Sequence, residues 1–223
     1  MNIFDEILKW VQITSIAVFL VLFLGKTLYL RRKMRLNAII LQPGKGRNNS
    51  LFSMVSVLVV NAWIAFILFY LLNATFRGWL EILDVEVLNS VWVKIPGLAV
   101  LVSAFILFIW AQLALGNSWR LGIDRRHPGK LVTREIYSLS RHPIYLFFDL
   151  YFFAVFLLNA NLVFLLFNII IASVLHLQIM AEEKFMSEYY GVPYKEYASR
   201  VGMYFSLSRV SGLQDMEQSD TPD

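Results

Sequence analysis

The 223-residue sequence contains no cysteine, so disulfide bonds, cysteine-ligated metal sites and thiol catalysis are all excluded. Charged residues are also scarce: they make up 16% of the chain, whereas hydrophobic residues make up 58%. These proportions are far from those of a soluble domain and indicate a polytopic membrane protein. The formal net charge of +4 could suggest nucleic acid as a partner. Because the basic residues cluster next to apolar segments, membrane topology explains the charge better, and no nucleic acid is expected.

Five apolar segments divide the chain, and most are long enough to cross about 30 Å of hydrocarbon as helices. They cover residues 10–29, 51–72, 91–115, 144–158 and 162–180. The predicted fold is therefore an all-α membrane protein with about five transmembrane helices. The last two segments are separated only by Asn159-Ala160-Asn161, a tight turn signal, and are expected to form a helical hairpin.

Lysine and arginine residues are concentrated in two stretches between these segments. The first contains six basic residues and no acid: Arg31, Arg32, Lys33, Arg35, Lys45 and Arg47. The second, residues 116–141, contains six basic residues against two acids. Basic loops are enriched on the cytoplasmic side of membranes. Both loops are therefore expected in the cytoplasm, which places the N-terminus outside and the C-terminus inside.

Polar residues at membrane depth are costly and often mark function. On a helix, His142, Tyr145 and Asp149 fall at i, i+3 and i+7, which places them on one face. A second polar group lies near the inner end of the other hairpin arm: His176, Gln178, Glu182 and Glu183. The alternatives are that Asp149 and His176 only tie the hairpin together and that Arg141-His142 is a membrane anchor. No two histidines have the spacing of metal ligands, so no metal is expected.

Several motifs follow one another in the second half of the chain: Gly129-Lys-Leu-Val-Thr, Tyr137, Arg141-His142-Pro143-x-Tyr145, Glu182-Glu183 and Gly191-x-x-Tyr194-x-x-Tyr197. In this order and spacing they resemble the isoprenylcysteine carboxyl methyltransferase and phospholipid methyltransferase superfamily. The resemblance covers about residues 115–205. It implies an S-adenosylmethionine-dependent enzyme embedded in a membrane, with a cytoplasmic cofactor pocket and a lipid or amphiphilic acceptor that enters from the bilayer. It leaves the oligomeric state open.

By position, the resemblance implies these cofactor contacts: Gly129, Lys130, Leu131, Val132, Tyr137, Arg141, His142, Pro143, Ile144, Tyr145 and Glu182. S-adenosylmethionine carries a carboxylate, an ammonium and a sulfonium, so cations, anions and aromatic faces suit it. Gln178 and Glu183 are expected to position the acceptor, and Glu183 or His176 could act as a base toward an amine or a thiol. Tyr194 and Tyr197 could contact the cofactor or anchor the chain at the membrane interface.

Two positions depart from the family pattern. Where the family usually has Gly-x-Tyr, this chain has Glu135-Ile136-Tyr137, and glutamate does not readily adopt the conformations open to glycine. Where prenylcysteine-specific members have an arginine that faces the acceptor carboxylate, this chain has the uncharged Gln178. The acceptor is therefore left open among an isoprenylcysteine-like carboxylate, a phospholipid amine and a small thiol.

The expected organisation has three parts: helices in residues 1–115, a methyltransferase core in residues 116–205, and a disordered acidic tail in residues 206–223. The closure of the hairpin predicts that His142 and Glu182 lie within one ligand length of each other. Two other functions remain open. One is a sterol-reductase-like enzyme that uses NADPH, and the other is a non-catalytic membrane scaffold or transporter-like protein.

Overall fold

The computed structural model describes residues 3–34, 47–118 and 129–205. The described residues form seven α-helices: α1 Ile3–Met34, α2 Arg47–Leu72, α3 Ala74–Leu80, α4 Val91–Leu115, α5 Pro143–Asn159, α6 Leu162–Tyr190 and α7 Val192–Arg200. Four short 3₁₀ helices accompany them: Glu81–Leu83, Glu86–Leu88, Gly116–Ser118 and Glu135–Ser138. These ranges contain no β-strand, so the predicted all-α fold is confirmed. The predicted tail at residues 206–223, together with Arg35, Lys45 and His127, lies outside the described residues.

Three of the described helices are long and apolar enough to cross a membrane, in the ranges Ile3–Leu30, Val91–Leu115 and Leu162–Tyr190. Leu58–Leu72 and Ala74–Leu83 meet at a bend of 105° and could together form a fourth span. At 17 residues, α5 is a shorter apolar helix. The chain is therefore a membrane protein with three or four candidate spans among its described residues, and the fifth span remains a prediction.

The connection between α5 and α6 is fixed by Asn161, which is fully buried. Its side chain caps α6 by accepting a hydrogen bond from Val163 N at 3.0 Å. The same side chain donates to Leu80 O at 2.9 Å and to Asp84 Oδ1 at 2.6 Å. The turn before α6 is thus held against the segment that precedes α4, at the end of the molecule opposite His142.

Residues 73–90, between the second and third predicted apolar segments, contain the short helix α3. Asn73 caps α3 because its side chain accepts a hydrogen bond from Phe76 N at 2.9 Å. Lys94, in the first turn of α4, forms an ion pair: its Nζ atom lies 2.8 Å from Asp5 Oδ1, and its side chain is only 12% exposed. Both features depend on specific partners that the apolar pattern does not reveal.

Stacked aromatic rings hold α5 in the centre of the helical bundle. Phe147 of α5 stacks on Phe108 of α4 with ring centroids 4.4 Å apart, and both side chains are buried. Gly97 lets these two helices approach closely, since an added Cβ there would lie 3.0 Å from Leu157 Cβ. Lipid tails are as apolar as leucine, so close packing of this kind is what favours helix association in a membrane. The packing fixes which face of α5 is turned toward α6.

Candidate active site

The candidate site lies where the start of α5 meets the last turns of α6. Pro143 is the first residue of α5, a position that suits proline because its fixed φ matches a helix and no N–H is needed there. The segment just before it is held by hydrogen bonds from two backbone N–H groups. Arg141 N donates to Gly202 O at 3.1 Å, and His142 N donates to Ser140 Oγ at 3.1 Å. Arg141 and His142 are thereby directed toward α6.

Glu183 is bound by three donors from two parts of the chain. His142 Nε2 lies 2.6 Å from Glu183 Oε1, and Tyr194 Oη donates to the same oxygen at 2.5 Å. Arg141 Nη2 lies 3.0 Å from Glu183 Oε2. Both carboxylate oxygens therefore have charged or polar partners within the protein, and Glu183 joins the start of α5 to α7.

Glu182 has different surroundings, although it adjoins Glu183. Its Oε2 atom is buried and has no hydrogen-bond partner, and it lies 3.9 Å from His142 Nδ1, too far for a hydrogen bond. The Tyr145 hydroxyl faces both Glu182 and Gln178. The predicted closeness of His142 and Glu182 is confirmed. Because the two side chains are almost in contact, they border the same small region of the site.

The tyrosines of this region are buried polar donors. Tyr194 and Tyr197 are 2% and 4% exposed, so their side chains face the protein interior and not lipid or water. Tyr197 Oη donates to Tyr137 O at 2.6 Å, which fixes α7 on the 3₁₀ helix before α5. Burial, and then the nearby Glu182 carboxylate, raise the pKa of Tyr137 well above its ordinary value. Burial and the hydrogen bond to the Glu183 carboxylate likewise raise the pKa of Tyr194, so these phenols stay protonated at neutral pH.

The segment from Gly129 to Val132 lies beside the end of α6. Tyr190 Oη donates to Gly129 O at 2.9 Å, and Lys130 N donates to Ser118 Oγ at 3.3 Å. Gly129 has a φ of +38°, and an added Cβ would lie 3.2 Å from Ser118 Cβ. Leu131 packs against the Tyr194 and Tyr197 cluster, whereas Val132 and Ile144 pack against Ile136 and Tyr137. Lys130 is exposed.

Glu135 has a positive φ, at the position where the sequence pattern of the family usually has glycine. Its φ of +55° lies in the left-handed region, which costs a residue with a Cβ about 1–2 kcal/mol. The conformation is kept because the following turn is fixed: Leu139 N and Ser140 N both donate to Ile136 O, at 3.0 and 3.1 Å. Residue 135 therefore adopts a φ that is typical of glycine although it is a glutamate, and its backbone is strained.

A second polar group lies about one turn deeper along α5 and α6. His176 Nδ1 lies 2.8 Å from the Tyr204 hydroxyl, and their rings stack at an interplanar angle of 14°. Burial, and then the nearby Asp149 carboxylate, raise the pKa of Tyr204 above its ordinary value. Asp149 Oδ1 itself is buried without a hydrogen-bond partner. His176 is thus bonded to Tyr204 and not to Asp149. Sequence reasoning missed Tyr204, since no motif includes it.

The hydrogen-bonding groups of this site suit a polar organic ligand. No group of three or more His, Cys, Asp or Glu side chains with the geometry of a metal site occurs among the described residues. Two buried atoms at the site lack hydrogen-bond partners: Glu182 Oε2 is an acceptor, and Arg141 Nε is a donor. A ligand that carries both an ammonium or hydroxyl group and a carboxylate would satisfy both atoms.

The helices and this polar cluster define an integral membrane protein with a charged site at the end of a helix pair. Residues 92–192 match the family model described as phospholipid methyltransferase. The match confirms the resemblance that the motifs carry, and it indicates a methyltransferase, a class that in families of this kind generally uses S-adenosylmethionine. It includes α4, α5 and α6 but ends before Tyr194 and Tyr197. No curated protein sequence matches the chain.

Proposed function

We propose that the chain transfers a methyl group from S-adenosylmethionine to a lipid or amphiphilic acceptor in the membrane. The observation that carries this proposal is the buried, unpaired Oε2 atom of Glu182 beside His142, within a region that matches a methyltransferase family. An unpaired buried carboxylate oxygen is costly for the protein alone. A cationic or hydroxyl-bearing ligand at this position offsets that cost.

The cofactor, when bound, supplies a methyl carbon already activated by its sulfonium. Glu182 would accept hydrogen bonds from the ammonium or from ribose hydroxyls, and Arg141 Nε would donate to the carboxylate. The aromatic faces of Tyr137 and Tyr145 suit positive charge. The backbone of residues 129–132 borders the same region. These residues would orient the cofactor and exclude water, which are the main tasks of a protein in an in-line transfer.

Glu183 is assigned to holding the site together. Arg141, His142 and Tyr194 occupy three of the roughly four acceptor positions of its carboxylate, so it is a poor candidate for a base. It sets the orientation of His142, whose Nδ1 atom is then turned toward Glu182. Gln178 remains the residue that faces the acceptor, since it meets Tyr145 one turn before Glu182.

The surroundings of Gln178 favour a neutral or cationic acceptor over a carboxylate. In prenylcysteine-specific relatives an arginine at this position faces the acceptor carboxylate, and glutamine cannot provide that charge. Asp149 adds an unpaired carboxylate oxygen on the same face of α5, one turn deeper than Tyr145. A negative group there attracts an ammonium and repels a carboxylate. An amine-bearing lipid therefore fits this site best, with His176 and Tyr204 beside it as candidates for moving its proton.

The proposed topology has five spans, the N-terminus outside, and the C-terminus and the site in the cytoplasm. In this arrangement residues 1–115 supply membrane helices, and residues 116–205 supply the methyltransferase core. The cysteine-free chain allows a direct test. Single cysteines in place of the exposed residues Glu81 and Glu188 should react with impermeant reagents from opposite sides of the membrane, Glu188→Cys only from the cytoplasm. Labelling of both from one side would contradict the topology.

Methyl transfer itself can be measured with S-adenosylmethionine labelled in its methyl group. Purified protein should transfer the label to an amine-bearing phospholipid and not to a prenylcysteine carboxylate. Asp149→Asn should raise KM for the amine acceptor while S-adenosylhomocysteine affinity stays the same. Lipid-dependent NADPH oxidation instead would identify a sterol-reductase-like enzyme. Absence of both activities and of cofactor binding would favour the scaffold.

A further inference from the structure

A second polar site lies at the end of α5 opposite the candidate active site. His142 directly precedes α5, whereas Leu158 and Asn159 at its far end line a polar cavity of about 230 Å³. At about 1.5 Å per residue, the 17-residue helix separates the two sites by roughly 25 Å. The polar cavity therefore takes no part in the proposed methyl transfer.

Charges of both signs line the polar cavity in equal number. The cations are Lys9, Arg77 and Lys94, and the anions are Asp5, Glu81 and Asp84. Neutral polar groups from Gln12, Tyr70, Asn89 and Asn159 also line the cavity. Because the lining charges sum to zero, the cavity favours a ligand with separated charges and no net charge over a simple anion or cation.

An apolar groove of about 800 Å³ lies between α1 and α4. It is lined from Ile3 to Val18 on α1 and from Leu98 to Ile109 on α4. The α1 side alone spans roughly 22 Å at about 1.5 Å per residue, which exceeds the roughly 15 Å of one hydrocarbon leaflet. Both helices are candidate spans, so the groove faces lipid and is long enough to hold an acyl chain.

The groove and the polar cavity share the first turns of α1. Asp5 and Lys9 line the cavity, and Glu6 between them lines the groove. Lys9 Nζ lies 2.7 Å from Glu6 Oε2 and 5.4 Å from the centre of the Trp10 ring, which also lines the groove. An acyl chain in the groove would therefore end beside the charged groups of the cavity.

We propose that this end of the protein binds one phospholipid with a zwitterionic headgroup. One acyl chain lies in the groove, the phosphate pairs with Lys9 and Lys94, and the ammonium pairs with Glu81 and Asp84. The cavity has room for roughly eight groups the size of water, at about 30 Å³ each, which is the scale of a phosphate joined to a short ammonium arm. This lipid lies in the leaflet opposite the candidate active site and is not the methyl acceptor.

The test is native mass spectrometry of the full chain in detergent, titrated with phosphatidylethanolamine or phosphatidylglycerol. We expect one phosphatidylethanolamine to be retained at least about fivefold more tightly than phosphatidylglycerol. Ile106→Trp fills the groove from a side chain that is 61% exposed, so the core is left intact. It should weaken retention at least about fivefold. The matched control is Ile169→Trp on α6, which is 56% exposed and lies outside the groove; it should change nothing.

The headgroup is tested separately by Glu81→Gln, which removes one of the carboxylates that the ammonium would contact and that the uncharged glycerol of phosphatidylglycerol would not. It should reduce the preference for phosphatidylethanolamine, because the phosphate contacts shared by both lipids are unchanged. Equal retention of the two lipids, with Ile106→Trp behaving like Ile169→Trp, would overturn the proposal. A dimer that Ile106→Trp dissociates would overturn it as well, because a second chain would then occupy the groove. Methyl transfer is not measured, and only retention that Ile106→Trp lowers and Ile169→Trp does not is assigned to the groove, so a lipid held as methyl acceptor does not affect the result.

Discussion

The adjacent glutamates at the end of α6 should respond in opposite ways to the same substitution. Glu183 is held by Arg141, His142 and Tyr194, and its side chain is only 16% exposed. Glu182 has a buried oxygen without a partner. Glu183→Gln and Glu182→Gln each remove one charge and keep the side-chain shape, so each variant is the control for the other. The contrast separates a residue that holds the site together from one that binds a ligand.

The magnitudes follow from these contacts. Removing one partner of a buried ion pair costs about 3–5 kcal/mol, and glutamine keeps one acceptor oxygen, so the lower end, about 3 kcal/mol, applies to Glu183→Gln. At about 2–4 °C per kcal/mol for a chain of this size, the ligand-free melting temperature should fall by about 6–12 °C. Glu182→Gln removes no hydrogen bond from the buried Oε2 atom, which has no partner within the protein. Its melting temperature should stay within about 1–2 °C of the unmodified chain.

Cofactor affinity should show the reverse order. A hydrogen bond to a charged group is worth about 1.5–3 kcal/mol, so Glu182→Gln should weaken S-adenosylhomocysteine binding by about 10- to 150-fold. Thermal unfolding with and without S-adenosylhomocysteine measures both quantities in one experiment, since ligand at about 100 times its Kd stabilises by about 2.7 kcal/mol. The reasoning is refuted if Glu182→Gln destabilises the ligand-free protein while Glu183→Gln does not.

Three further outcomes are expected. Glu135→Gly should raise the melting temperature by relieving a left-handed conformation worth about 1 kcal/mol, and Glu135→Ala, which keeps the Cβ, should not. Gly129→Ala should weaken S-adenosylhomocysteine binding more than Gly191→Ala, because only the Gly129 Cβ would crowd a neighbour, Ser118, in addition to the strained φ; equal effects would contradict this. Because the pKa of the Tyr194 phenol is raised in the folded protein, the unfolded chain loses this proton first as the pH increases. The free energy of unfolding should therefore fall as the pH rises above about 10. Thermal unfolding at several pH values should show a shallower fall in Tyr194→Phe.

Much of the helical framework was predictable because it depends on local signals. The predicted apolar segment 91–115 coincides with α4, and α6 ends at Gly191, a glycine with a φ of +62°. Apolar run length and glycine are sufficient for such boundaries. In contrast, α3 depends on the Asn73 cap, and the burial of Lys94 depends on Asp5, 89 residues away. Contacts between distant residues cannot be read from a local pattern.

The candidate site was predictable in its members but not in their roles. Motif spacing brought His142, Glu182 and Glu183 together, yet neighbouring residues on a helix point about 100° apart. The rotation of α6 against α5 decides which glutamate contacts Arg141 and which has an oxygen without a partner. That rotation is set by packing. Tyr204 was not predicted as a site residue for a similar reason. It reaches His176 only because the chain after α7 returns to the start of α5.

The central claim, that this protein uses S-adenosylmethionine, is tested most directly by isothermal titration calorimetry of the purified chain. S-adenosylhomocysteine and NADPH are titrated in parallel into the unmodified protein and into Glu182→Gln. The account predicts binding of one S-adenosylhomocysteine per chain, weakened by about 10- to 150-fold in Glu182→Gln, and no binding of NADPH. Binding of NADPH without S-adenosylhomocysteine, or equal S-adenosylhomocysteine affinity in both proteins, would contradict it.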